Sequence, residues 1–279
     1  MTLQVNYVYI LTKSEQETAY TLGCEILHWL KSRGIEARVQ DHEQFQAQNE
    51  QDAGSPDLVL VLGGDGTMLS VARKMGVKEI PMLGLNLGQV GFLTELCTER
   101  WAAVLQDVLA GAYNLSPRIL LDYKVIRQGE ELFEGRVVND LVVSRGGVAR
   151  LARLQINYGQ NDMSALRADG LIISTPTGST AYAVAAGGAL LSPELEIMQI
   201  CPICPFLSGF RSVVLSSQEA VEVEVLSPSP DMFLTQDGQY GMSLLPGDKV
   251  LVSQSEARLL FIQPRGSSYL QKLKQKGYL

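Results

Sequence analysis

The residues best suited to chemistry sit in one short stretch, Leu58 to Leu69, which reads "LVLVLGGDGTML". A solid apolar run ends in Gly63-Gly64-Asp65-Gly66-Thr67, so a single carboxylate stands among three glycines at the end of a buried strand. Glycines at such a place let backbone N–H groups turn toward an anion without interference from a Cβ. A helix starting near Thr67 would aim its positive end at the same point. Gly63, Gly64 and Thr67 therefore read as a phosphate loop. Asp65 contradicts that cradle, because a carboxylate repels phosphate. The contradiction disappears if Asp65 binds Mg²⁺ or takes a proton from an attacking hydroxyl, so the loop points to phosphoryl transfer. The bland alternative is a tight strand-to-helix turn with Asp65 as its N-cap. The stretch is not a Walker loop, since no Gly-Lys-Ser/Thr follows, and it lacks the Gly-x-Gly-x-x-Gly spacing of dinucleotide folds.

The elements that must position this loop fall into two textures. From residue 3 to about 115, strand-like runs ("QVNYVYIL", "EARVQ", "DLVLVLG", "IPMLGLN") alternate with helical ones ("EQETAYTLGCEILHWLKSRG", "GTMLSVARKMG", "TERWAAVLQDVLAG"). That alternation predicts an α/β domain with a parallel sheet and helices on its faces. From Ser116 onward the runs are almost all strand-like: "LDYKVIRQ", "ELFEGRVVNDLVVSR", "ARLQINYG", "LIISTP", "RSVVLSS" and the strictly alternating "AVEVEV". "LLPGDKVLVSQ" reads as two strands about a Pro-Gly-Asp turn. This predicts a β-rich, β-sandwich-like second domain. The tail "SSYLQKLKQKGYL" is helical again and is expected to return to the first domain. The expected division is 1–115 plus about 258–279 for the α/β domain, and 116–257 for the β-rich one.

Composition narrows the class. The 279 residues are 46% hydrophobic and 19% charged, which is globular and long enough for a sizeable core. A formal net charge of -7 disfavours nucleic acid as the main partner. No apolar run reaches membrane-spanning length, and the N-terminal stretch lacks the basic region and cleavage site of a signal peptide, so a cytoplasmic protein is expected. "CPIC" (Cys201 to Cys204) has redox or metal spacing, but Pro202 and Pro205 bracket it awkwardly, and Cys24, Cys97, His28 and His42 lie in unrelated contexts. With two His in the chain, both in or after the first helix, a Ser-His or Cys-His nucleophile system is disfavoured.

Gly-Gly-Asp-Gly-Thr after a strand resembles the superfamily of NAD kinases, diacylglycerol and sphingosine kinases and, more distantly, 6-phosphofructokinases. Further stretches narrow the resemblance: "GLNLGQVGFLTE" (Gly84 to Glu95), "VVNDLVVSRG" with its Asn139-Asp140 pair, "RADGLIISTPTGSTAYAVAAGGALLSP" (Arg167 to Pro193), and "QDGQ" (Gln236 to Gln239). In this order they identify the chain as a member of the NAD kinase family. The resemblance implies an Mg²⁺-dependent enzyme that moves a phosphoryl group from ATP, or inorganic polyphosphate, to the 2′-hydroxyl of the adenosine ribose of NAD, giving NADP. It implies that Asp65 accepts the hydroxyl proton and that Gly66 lies against the nucleotide. Asn139 would meet adenine or ribose edges, and Asp140 a ribose hydroxyl. Arg150, Arg167, Asp169 and Gln239 are implied as further ligand contacts. Thr180, Ala181, Tyr182, Ala183, Val184 and Ala185 would contact the second half of NAD, where small residues admit a flat ring and Tyr182 can stack on it. It also implies NAD in the cleft between the domains, and a homo-oligomer, dimer or tetramer.

Bland readings exist for each piece. An Asn-Asp pair is often a turn, Arg167 and Asp169 could form a surface ion pair, and Thr177 or Ser179 could cap a helix. A lipid kinase sharing the Asp65 loop, or a non-catalytic nucleotide sensor, would fit parts of the pattern. The acidic charge and "TPTGSTAY" disfavour the first, and the intact Asp65 the second. The chain departs from the family where Cys-Pro-His-Ser is usual: Cys204-Pro205 is followed by Phe206 and Leu207.

Overall fold

The structure, a computed structural model, describes residues 4–45, 55–75, 79–88, 91–94, 96–147, 150–207, 209–228 and 231–279. Gln89, Val90 and Glu95 of the second glycine segment, and Gly76 after the first glycine-loop helix, lie outside these. The chain divides into two compact units, residues 1–117 with 257–279, and residues 118–256.

The first unit is built on parallel strands. Strand β1 (Tyr7–Thr12) leads through helix α1 (Glu17–Lys31) to β2 (Glu36–Asp41), β3 (Leu58–Leu62), helix α2 (Asp65–Lys74) and β4 (Pro81–Asn86). A two-residue β5 (Leu96–Cys97) and helix α3 (Trp101–Leu109) follow. The order is β2-β1-β3-β4, all parallel, and Leu260 and Phe261 of the late strand β17 (Lys249–Pro264) add a further parallel pairing to β4. All five residues of β3 are buried, which explains its unbroken apolar run: a central parallel strand is covered on both faces. One face packs Val8, Ile10, Leu58, Leu60, Leu83 and Leu85 against Ala19, Ile26 and Leu30 of α1 and Leu105 and Val108 of α3. Gly23 of α1 allows close approach, since a Cβ there would lie 3.1 Å from Thr12 and 3.2 Å from Val39. The chain leaves β1 toward β2 on one side and resumes with β3 on the other. The switch point of this sheet is therefore between the carboxyl ends of β1 and β3, where open α/β sheets bind ligands.

The second unit is antiparallel. After β6 (Tyr113–Arg127) and β7 (Glu130–Val137) come β8 (Asp140–Arg145), β9 (Ala152–Tyr158), β10 (Asn161–Ala168) and β11 (Gly170–Ser174). A 3-10 turn (Thr177–Thr180) and a one-turn helix α4 (Tyr182–Ala185) precede β12 (Ile197–Ile203), β13 (Val213–Ser216), β14 (Val221–Val225), β15 (Met232–Gln236) and β16 (Tyr240–Leu244). One sheet runs β13-β12-β11-β8-β15-β16. The other runs β10-β9-β14-β17. Their inner faces share one core, in which Leu141, Val143, Leu171, Ile173 and Leu234 meet Leu154, Ile156, Val221, Val223 and Val250. That is sandwich packing of the expected kind. The chain ends in helix α5 (Tyr269–Gln275), anchored by buried Leu273 and belonging to the first unit. Among the described residues no helix is long and apolar enough to cross a membrane.

Candidate active site

In the first unit the loop after β3 sits at the switch point. The N–H of Gly63 donates to the Leu85 carbonyl at 2.9 Å, and that of Lys13, after β1, to the Leu62 carbonyl at 3.0 Å. Helix α2 begins at Asp65, two residues earlier than the sequence reading placed it, with Gly64 as the N-cap. Asp65 is therefore not the cap. Its carboxylate instead reaches across to the segment after β4: the Phe92 N–H donates to Oδ2 at 2.8 Å and the Leu93 N–H to Oδ1 at 3.1 Å. The segment is itself tied down, since the Gly91 N–H and the Asn86 Nδ2 both donate to Thr94 Oγ1, at 2.7 and 3.3 Å. Gly91 is glycine for a steric reason, because a Cβ there would overlap the Asp65 carboxylate. The result is one immobilised carboxylate at a helix N-terminus, where the helix dipole favours its negative charge. Each oxygen keeps a second lone pair for a proton or a cation.

In the second unit Asn139 and Asp140 stand where β7 gives way to β8, and a cavity of about 340 Å³ opens beside them. Asn139, Asp140, Val142, Ala181, Tyr182 and Asp237 are among its lining residues. Asp237 organises the bend: its carboxylate accepts the N–H groups of Val138, Asn139 and Asp140, at 2.7 Å for Asn139. Asp237 has φ 46° and Gly238 φ 65°, and the Gln239 N–H closes on the Gln236 carbonyl at 2.9 Å. Two consecutive positive φ values are those of a type I′ turn, which Asp-Gly supplies at low cost. The Asp140 carboxyl accepts the Tyr182 N–H, yet burial and the nearby Asp237 carboxylate push it up to about 7. A buried acid shifted this far, facing a cavity, is a mark of a functional site.

The segment "TPTGST" is shaped by the same bend. The Thr175 N–H donates to the Asn139 carbonyl at 2.9 Å, its Oγ1 to the Val138 carbonyl at 2.6 Å, and that Oγ1 accepts the Gly178 N–H at 3.1 Å. A Cβ on Gly178 would overlap the Asn139 carbonyl, which is backbone and cannot swing aside. Gly178→Ala should therefore cost about 2–3 kcal/mol of stability through forced separation of the two segments; chemical denaturation would measure it. Neither Thr177 nor Ser179 acts as a helix cap here, since the 3-10 turn and α4 lack side-chain caps.

The structure thus brings Asn139, Asp140, Ala181 and Tyr182 to one cavity and Asp65, Gly66, Gly63, Gly64 and Thr67 to another loop. Tyr182 is 47% exposed, while Ala183 is buried, and Thr180, Val184 and Ala185 continue the same turn. Arg150, Arg167, Asp169 and Gln239 do not line that cavity. Asp169 pairs with Arg145 at 2.7 Å rather than with Arg167. Arg167 instead sits 5.6 Å from the ring centroid of Phe206, whose N–H donates to the Arg167 carbonyl at 2.8 Å. The aromatic ring at the family's usual His position thus faces a guanidinium. Cys201 is buried on β12 and Cys204 is exposed just after it. Sequence reasoning missed Asp237; its signal was the Asp-Gly of "QDGQ", from which only Gln239 was taken.

Comparison with known proteins gives consistent matches. A family model described as the ATP-NAD kinase N-terminal domain matches residues 8–113, and one described as the ATP-NAD kinase C-terminal domain matches residues 138–264. The NAD kinase of Oleidesulfovibrio alaskensis is 40% identical over 276 residues, covering 99% of this chain and 94% of that protein. The NAD kinase of Geotalea daltonii is 35% identical over 275 residues, covering 96% and 97%. Among solved structures, yeast NADH kinase complexed with NADH superposes with a TM-score of 0.85 at 24% identity, over 98% of this chain and 87% of that one. An NAD kinase from Archaeoglobus fulgidus in complex with ATP gives 0.74 at 23% identity, over 92% and 94%. At these identities the two structures speak to the fold.

Proposed function

The chain belongs to the NAD kinase family, and from that premise we infer that it transfers a phosphoryl group from ATP to the 2′-hydroxyl of the adenosine ribose of NAD, with residue roles as follows. Asp65 accepts the 2′-hydroxyl proton as the oxygen attacks phosphorus, and ADP leaves on the opposite side. The observation that carries this role is the fixing of both Asp65 oxygens by the Phe92 and Leu93 N–H groups. A base held in place needs no reordering when the hydroxyl arrives. Gly63, Gly64, Gly66 and Thr67 keep the space before α2 narrow and polar for phosphate. Asn139 and Asp140 take hydroxyl and ring edges of the nucleoside. Tyr182 offers its exposed ring for stacking, flanked by Thr180, Ala181, Ala183, Val184 and Ala185. Arg150, Arg167, Asp169 and Gln239 act as outlying ligand contacts. The protein works in the cytoplasm as a homo-oligomer; the oligomer is supported by exposed apolar residues, Val214 and Tyr240, on the edge strands β13 and β16.

The donor set indicates how Mg²⁺ would be held. Among the described residues no three His, Cys, Asp or Glu groups converge on one point. Mg²⁺ is commonly held by one or two carboxylates together with substrate phosphates and water. With Asp65 serving as the base, such an ion would be held beside the loop chiefly by the substrate phosphates and water. When bound, the ion neutralises charge on the transferring phosphate.

The test is incubation of the purified protein with NAD, ATP and Mg²⁺, with NADP followed by an NADP-specific dehydrogenase. NADP formation is expected. Absence of product with ATP, polyphosphate, NAD and NADH alike would overturn the reading. Gly91→Ala should fold but lower kcat roughly 10–100-fold, because the new Cβ displaces the base from its two donors. Its thermal midpoint should fall by a few degrees as well, since the Phe92 and Leu93 N–H groups lose their acceptor.

A further inference from the structure

The second hydrogen bond on Asp65 comes from the peptide that joins Phe92 to Leu93. The N–H of that peptide donates to Asp65 Oδ1 at 3.1 Å, and its carbonyl accepts the Lys272 ammonium at 3.0 Å. A trans peptide is planar, so a partner that fixes the carbonyl also fixes the direction of the N–H on the opposite side. A cation on the oxygen polarises the amide and strengthens what its N–H donates. Lys272 lies on α5, which is anchored by its neighbour Leu273, 3% exposed. Gly277 then turns back with φ 77°, the Tyr278 N–H closes on the Leu273 carbonyl at 2.9 Å, and the Tyr278 ring meets the Phe92 ring at 5.9 Å. The C-terminal segment thus grips Phe92 twice, at the carbonyl and at the ring. The Phe92 N–H holds Asp65 Oδ2 at 2.8 Å.

We propose that Lys272 is a positioning residue for phosphoryl transfer: through the Phe92–Leu93 peptide it sets the orientation of the Asp65 carboxylate, with Tyr278 bracing the same residue. The inference rests on Asp65 being the base. It gives the C-terminal segment a part in turnover that neither ligand binding nor core packing requires of it. Loss of the ammonium frees the peptide to tilt, and the carboxylate then loses its fixed aim while the substrates bind as before.

The experiment is steady-state kinetics of NADP formation by the full chain carrying Lys272→Met, Lys272→Arg, or a deletion of Tyr278 and Leu279. Lys272→Met should lower kcat about tenfold with KM for NAD and ATP nearly unchanged, and Lys272→Arg, which restores a cationic donor, should recover most of the loss. The deletion leaves Lys272 in place and should move kcat in the same direction, which covers the case in which Lys272→Met fails to fold. In an Asp65→Asn background, adding Lys272→Met should leave the residual rate unchanged, because the two residues act as one unit. Unchanged kcat in both Lys272→Met and the deletion overturns the proposal while leaving Asp65 as the base. So does a tenfold loss that persists in the Asp65→Asn background. Wild-type turnover by Asp65→Asn alone overturns the base assignment, and the proposal with it.

Discussion

Asp65→Asn is expected to lower kcat for NADP formation roughly 10²- to 10⁴-fold, the span of a lost general base, while NAD still binds. An alkyl hydroxyl is a weak nucleophile, and its proton has to go to an acceptor as the bond to phosphorus forms. The amide keeps one oxygen, so one of the two N–H donors, Phe92 or Leu93, retains its partner. The other donor then faces an NH₂ group, and leaving it unpaired costs about 1–3 kcal/mol. The loss of charge at the N-terminus of α2 adds a few tenths to this. The variant must therefore be assayed well below its own unfolding midpoint, with binding of NAD measured separately by calorimetry. Asp65→Glu makes the complementary comparison. It keeps the charge but lengthens the side chain in a place where Gly91 already leaves no room for one extra carbon. A large kcat loss in both variants assigns the role to a carboxylate at a fixed place. Near-wild-type turnover in Asp65→Asn would remove Asp65 from the chemistry.

How much of this was legible in the sequence depended on whether the causes were local. The β3 run, the glycines and the helix behind them are adjacent in the chain, and the physics that makes a phosphate loop acts over a few residues. The break at Asn139 was visible for the same reason, because it interrupts a strand-like run. What escaped were strands and partners fixed at long range. Strand β10 carries "NDMSALRA", half of it exposed, and is an edge strand paired on one side; its polarity hides it. Strand β12 contains Cys201 and Pro202, the first half of "CPIC", which drew attention to redox chemistry instead of to a buried strand paired on both sides. Asp237 meets the N–H groups of residues 97 to 99 positions away, and Lys272 reaches a carbonyl 180 positions away. No spacing in the sequence encodes such a meeting. The structure also removes the bland alternative in which Asp65 caps α2, since the rule that Asp caps helices says nothing about two backbone donors waiting on another loop.

The largest effect on stability is expected at Asp140, and it is a pH effect. Burial first, and the Asp237 carboxylate second, raise its carboxyl from the ordinary 3.8 to about 7, against the smaller opposing hydrogen bond from the Tyr182 N–H. An acid whose folded value is raised favours the native state only while it keeps its proton. Below about pH 4 it is protonated in both states and contributes no difference. Between about pH 4 and pH 7 the unfolded chain releases the proton and the folded chain holds it, so stability falls as pH rises. Above about pH 7 the cost is fully present, and the move from 3.8 to about 7 is worth about 4 kcal/mol. Asp140→Asn removes the charge, keeps an oxygen for the Tyr182 N–H, and presents an NH₂ group toward Asp237. The variant should therefore be more stable than the parent by up to about 4 kcal/mol at pH 8, with the gap closing toward pH 4. Urea unfolding of both proteins across that range would measure it; a gap that does not change with pH would show that Asp140 is not the titrating group. The cost of the buried charge is one that a bound ligand would offset. A ribose hydroxyl that donates to Asp140 favours its ionised form. The same substitution that stabilises the fold should thus weaken NAD binding, and most strongly at the pH where it stabilises most. That opposition separates a site residue from a misplaced core acid, for which the stabilising substitution would leave KM for NAD unchanged.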